Sequence, residues 1–117
     1  MIRLSLYTMR RTNSDQLHGT LDMLVLKTLQ NGALHGYAIA VRLDQLSHEV
    51  LKVEEGSLYP ALYRMEERGW LSSEWRATDT GRRARFYRLT PKGRAQLAAE
   101  TESWARLTAA VQSVLLS

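Results

Sequence analysis

The sequence predicts a mainly α fold with one small β-hairpin and a long C-terminal helix. Three observations carry this reading. Apolar residues recur at three- and four-residue spacing in three short segments between positions 17 and 69, the period of helices with one buried face. Beyond Gly69 the spacing changes to alternation on either side of a turn-rich stretch, the period of paired strands. From Ala95 to Leu116 neither glycine nor proline interrupts the chain. With 117 residues, 44% of them hydrophobic, the chain suits a single core and excludes a large multidomain enzyme.

The opening segment, Met1 to Arg11, places Arg3, Arg10 and Arg11 around a short, interrupted apolar stretch. It lacks the apolar run and small-residue cleavage site of a secretory signal. Residues 1–16 therefore read as a loosely ordered tail, with Met1 and Met9 both open as the true start. Leu17, Leu21, Leu24, Val25 and Leu29 then line one helix face, and Asn31-Gly32 stops that helix because both residues tolerate a left-handed cap. A second helix follows Gly36, with Ile39, Ala40, Leu43 and Leu46 on its apolar side. A third carries Leu58, Leu62 and Met65 inward and ends at Arg68-Gly69. Pro60 belongs in its first turn, where the backbone N–H has no intrahelical partner, so the helix is expected to begin near Glu55 to Ser57.

Trp70 to Arg76 alternates Leu71, Ser73 and Trp75 with Ser72, Glu74 and Arg76, and Ala84 to Thr90 is rich in strand-favouring residues. The stretch from Ala77 to Arg83 between them forms turns, which gives a two-stranded hairpin with a basic tip; the pattern leaves the faces of Phe86 and Arg88 open. Thr90 and Pro91 supply the N-cap and first residue of the last helix. That helix runs for about 25 residues, nearly 40 Å, and overhangs the body. Leu97, Trp104 and Val111 repeat every seven residues, with Leu107 and Val114 at the alternate position. This is a seam of period 3.5, suited to pairing with a second helix, although Glu100 interrupts it.

The net charge of +4 is unevenly placed. Residues 70–94 hold seven basic groups against two acidic ones, while residues 17–69 hold five against seven. The excess falls on the hairpin and the start of the last helix, a local field that attracts a polyanion. Solvation of an arginine-rich loop is the plainer alternative.

Catalytic chemistry has no visible carrier. There is no cysteine, hence no disulfide, thiol nucleophile or cysteine metal site. His18, His35 and His48 do not share a helix-face spacing for metal. The adjacent pairs Glu54/Glu55 and Glu66/Glu67 diverge by about 100° on a helix and cannot flank a substrate. No phosphate-binding glycine loop occurs, and the longest aliphatic run, Met23 to Leu26, is far short of the roughly 18 residues of a membrane span. Neither an enzyme, nor a cofactor or metal, nor a membrane partner is expected.

Three helices followed by a basic hairpin is the order of a winged helix-turn-helix, whose third helix enters the DNA major groove. His35-Gly36-Tyr37, Glu55 to Leu62 (EGSLYPAL), Met65 to Trp70 (MEERGW), Arg83 to Thr90 (RARFYRLT) and Gly93 together resemble the PadR family of bacterial transcriptional regulators, in its small form with one C-terminal helix. That resemblance covers about Leu17 to Ser117. It implies a cytoplasmic homodimeric repressor of double-stranded DNA, with residues 17–90 as the DNA-binding domain and 91–117 as the dimerisation helix. It further implies DNA contacts by Gly56, Ser57, Tyr59, Pro60 and Arg64 on the third helix, Tyr37 on the second, and Arg82, Arg83 and Arg85 on the wing. Leu97, Trp104, Leu107, Val111 and Val114 would join the two copies. Some family members bind flat aromatic or hydrophobic effectors at the dimer interface, which makes Trp104 a candidate ligand contact; interface packing is its other reading. Tyr59 also reads as a core aromatic and Arg64 as a solvated side chain. From another class, a winged module that docks a protein and does not use DNA fits the same elements.

Overall fold

The computed structural model describes residues 19–117. The expected tail over residues 1–16, with its two candidate starts, and Leu17 and His18 lie outside this range. Helix α1 occupies residues 19–28 of the described chain. It is followed by β1 (Leu34–His35), α2 (Gly36–Leu46), α3 (Glu55–Glu67), β2 (Leu71–Ala77), β3 (Arg83–Leu89) and α4 (Pro91–Leu115).

The core forms where the apolar faces of the helices meet the root of the hairpin. Val25, Leu26 and Leu29 from the α1 segment, Ile39 and Leu43 from α2, and Leu58, Ala61, Leu62 and Met65 from α3 are buried together with Leu71, Tyr87, Leu89 and Leu97. Burial of a side chain of this kind stabilises the fold by about 1.5–3 kcal/mol. Leu46, expected on the apolar side of α2, is instead exposed. It lies in the last turn, where the chain leaves α2 through two left-handed residues, His48 (φ 54°) and Glu49 (φ 67°), and the core no longer lies beneath the helix.

Helix α3 ends by a mechanism legible in its sequence. The N–H of Gly69 donates to the Glu66 carbonyl and that of Trp70 to the Met65 carbonyl, each at 3.0 Å. This pair of bonds satisfies carbonyls that the helix end would leave open, and it needs a left-handed residue at Gly69, whose φ is 78°. At the other end the expected start holds, since α3 begins at Glu55. Pro60, however, is the sixth helical residue and lies in the second turn. Its missing N–H therefore removes one internal hydrogen bond to the Gly56 carbonyl, at a place where both residues are exposed and water can serve that carbonyl.

The sheet has three strands in the order β1-β3-β2, all antiparallel. Strand β1 was not legible in the sequence, because two residues carry no period. The register pairs Leu71 with Leu89, Ser73 with Tyr87 and Trp75 with Arg85, so these residues share the face directed at the core. Phe86 and Arg88 lie on the opposite face. There the Arg76 guanidinium sits 4.8 Å from the Phe86 ring centre and Arg88 donates to the Ser72 hydroxyl at 2.8 Å. The tip is a tight turn in which the Gly81 N–H donates to the Thr78 carbonyl at 2.9 Å.

At the start of α4, the Thr90 hydroxyl accepts from the Gly93 N–H at 2.9 Å and donates to the Gly69 carbonyl at 2.6 Å. The buried residues of α4, Gly93 and Leu97, lie in its first two turns. Leu97, expected in the intermolecular seam, is 6% exposed and packs into the core of its own chain. Further along, Trp104, Leu107, Val111 and Val114 are all exposed.

Candidate nucleic-acid interface

Helix α3 is divided by its own spacing into a buried and an open side. Leu58, Ala61, Leu62 and Met65 face the core, and Gly56, Ser57, Tyr59, Pro60 and Tyr63 are exposed. The N-terminal half of this open side is thus small, hydroxyl-bearing and aromatic. Hydroxyls and unobstructed backbone are suited to phosphate oxygens.

Between the N-terminal ends of α2 and α3 and the core-side face of the wing lies a cleft of about 1000 Å³. Its lining includes Tyr37, Tyr59, Trp75, Arg82, Arg83 and Arg85. Five of the nine residues expected to touch DNA border this one cleft or its edge. Gly56, Ser57 and Pro60 lie on the adjoining exposed turn of α3. Arg82 and Arg83 are exposed near the hairpin tip and have no carboxylate partner among the described residues.

Local contacts set the aromatic side chains in place. The His35 Nδ1 accepts from the Ala38 N–H at 3.2 Å and caps α2, which starts the helix beside the wing and projects Tyr37 into the cleft. The Tyr59 ring lies across Gly36: a Cβ at that position would come within 2.7 Å of the Tyr59 hydroxyl. Glycine at position 36 is therefore what permits the ring to lie there. Tyr59 is thus a partly exposed cleft residue. At the cleft floor, burial pushes the Tyr87 phenol above its ordinary pKa; Arg85 opposes that shift, and Glu66 and Tyr59 add to it.

Two expected contacts are engaged elsewhere. The Arg64 guanidinium donates to the Asp22 carboxylate at 2.5 Å, and Asp22 is buried. Arg64 thereby joins α3 to α1 and turns away from the open side. Arg85 is held by Glu66 at 3.3 Å and by the Ser73 hydroxyl at 2.7 Å.

Two exposed aromatics escaped the sequence reading. Tyr63, 67% exposed, follows Tyr59 by four residues and Gly56 by seven, so helical spacing alone could have placed it on the same side. Trp75, 57% exposed, alternates with Leu71 and Ser73 and so projects from the wing's core-side face beyond the point where the core ends. Its signal was the alternation, but the length of wing that overhangs is a tertiary property. On α4, hollows of about 400 and 640 Å³ flank Trp104, the first against Met23 and Leu107 and the second against Leu24 and Leu97. No helix among the described residues is long and apolar enough to cross a membrane.

The family model for PadR-like transcriptional regulators matches residues 25–99. An uncharacterised 37.1 kDa protein of transposon TN4556 from Streptomyces fradiae is 41% identical over 101 residues, which cover 86% of this chain and 26% of that protein. The transcriptional regulator Rv3488 of Mycobacterium tuberculosis is 42% identical over 73 residues, covering 62% of this chain and 64% of the relative. The chain thus spans about a quarter of the first relative's length and just under two thirds of the second's. Among solved structures, the PadR-like transcription factor from Bacteroides fragilis superposes with a TM-score of 0.73 at 29% identity, over 89% of this chain and 98% of that one.

Proposed function

Because the chain belongs to the PadR-like family of transcriptional regulators, we propose that it is a homodimeric repressor that binds an inverted-repeat operator in double-stranded DNA. The observation that carries this reading is the convergence of an open, hydroxyl-bearing side of α3 and the Arg82/Arg83 tip of the wing on one cleft. Residues 17–90 act as the DNA-binding domain. Gly56, Ser57, Tyr59 and Pro60 approach the major groove with Tyr37 beside them, and Arg82 and Arg83 neutralise phosphates. Few groups on this surface can read base edges, so DNA shape carries much of the selectivity.

Residues 91–117 join two copies through Trp104, Leu107, Val111 and Val114, an apolar row 38–73% exposed among the described residues. Pairing removes that row from water and sets two α3 helices to meet successive major grooves, about 34–36 Å apart. A small aromatic or hydrophobic ligand in the hollows beside Trp104 shifts the pairing angle and relieves repression. The protein acts in the cytoplasm.

A mobility-shift assay on the DNA upstream of the protein's own gene, at two salt concentrations, tests the reading. Binding that weakens steeply with salt is expected, since each neutralised phosphate contributes about 0.9 to the logarithmic slope. Absence of binding at low salt overturns it in favour of a protein-docking module.

A further inference from the structure

The wing carries a positive charge that the fold itself pairs with a carboxylate. Glu66 stands in the last turn of α3 beside the hairpin, and its carboxylate receives two groups from the wing. The Ser73 hydroxyl donates to it at 2.6 Å, and the Arg85 guanidinium approaches both of its oxygens at 3.3 Å. Arg85 also donates to the Ser73 oxygen at 2.7 Å, which closes a three-membered polar network. Ser73 belongs to β2 and Arg85 to β3, so one carboxylate ties both strands of the wing to α3.

The network is well placed to act. The Glu66 side chain is 28% exposed and that of Arg85 44%, so the pair is partly withdrawn from solvent and is screened less than a surface pair. Of its three members, Arg85 lines the cleft that Arg82 and Arg83 also border. Cationic side chains that reach phosphate raise affinity for every DNA sequence alike, and only the orientation of the reading elements distinguishes one sequence from another.

We propose that Glu66 is a positioning and charge-masking residue. It fixes the angle of the wing against α3 and withholds the Arg85 charge from phosphate, which keeps sequence-independent binding low. This inference rests on the DNA-binding reading above.

The test uses the full chain and two labelled duplexes: one recovered from random DNA by selection with the wild-type protein, and one of scrambled sequence. Affinities are measured between about 50 and 300 mM salt. In E66Q, which keeps the shape and loses the charge, the scrambled duplex is expected to bind more tightly. The logarithmic salt slope should steepen by about 0.9 per wing engaged, and the preference for the selected duplex should fall roughly threefold to tenfold. R85Q in the wild-type background should change the slope by less than about 0.3, and in E66Q it should abolish the whole gain.

An unchanged slope in E66Q, or weaker binding to both duplexes alike, overturns the proposal and leaves Glu66 with a structural role. If E66Q fails to fold, R85Q still decides: a slope lowered by about 0.9 per wing would mean that Arg85 already lies on phosphate in the wild type. Wild-type protein that binds neither duplex at low salt would instead remove the DNA-binding reading itself.

Discussion

Arg64 shows how a single contact changes the reading of a residue. By type and position it belongs on a DNA-facing helix, yet its guanidinium meets buried Asp22 and spans 42 positions in sequence. Replacing Arg64 with Ala is therefore expected to lower stability by about 2 kcal/mol, the scale of a hydrogen bond to a charged group. Urea unfolding measures that loss. DNA affinity of the folded variant should change less than about twofold; a salt slope reduced by about 0.9 would instead place Arg64 on phosphate. Tyr59 and Gly36 are coupled in a similar way. The ring lies over the one residue of α2 that leaves room for it, and the two are 23 positions apart, so no local pattern could have joined them.

At the level of elements, the helix ends separate what local sequence prescribes from what the fold tolerates. Helices α2 and α3 end in the same pair of backbone bonds, the first through His48 and Glu49 and the second through Gly69 and Trp70. Glycine adopts the required conformation freely, while other residues incur about 1 kcal/mol or more. Gly69→Ala should accordingly lower stability by about 1 kcal/mol, and His48→Gly should raise it by roughly 0.5–1 kcal/mol. The midpoints of denaturant unfolding should move in opposite directions; a fall in both would mean that the His48 side chain stabilises the loop. The stop after Arg68 was legible because Gly is the residue that this cap favours. The stop after Leu46 was not, because Ser47-His48-Glu49 holds no glycine; in the fold the Ser47 hydroxyl accepts from the Leu51 N–H at 2.9 Å and Lys52 pairs with Asp44 at 3.4 Å across the exposed connection.

For the whole molecule the defining feature is the overhang of α4, which contributes to overall dimensions of 56 × 26 × 26 Å. Its two halves work in different environments. Leu97→Ala should destabilise the fold by about 2–4 kcal/mol, as for other buried leucines, with the oligomeric state of the folded fraction unchanged. If the proposed pairing runs through this row, Val111→Asp should leave the melting of the individual chains nearly unchanged, yield a monomer in sedimentation where the wild type is a dimer, and weaken operator binding with it. A dimer that survives Val111→Asp would place the association surface elsewhere.

The sequence alone determined the kinds and order of the larger elements, the start of α3, its glycine stop, the threonine-proline start of α4 and the residues of the motifs. Each depends on interactions within a few residues, so spacing and backbone preference suffice to write it. Only the tertiary structure decided which side chains were free to act. The heptad row Leu97, Trp104 and Val111 is uniform as a pattern, yet burial divides it after its first member, which alone packs into the core. Among the wing arginines, Arg82 and Arg83 remain open while Arg85 is held by a carboxylate 19 positions away. A charge acts through whatever lies within a few ångströms of it, and that neighbourhood is set by how distant segments pack.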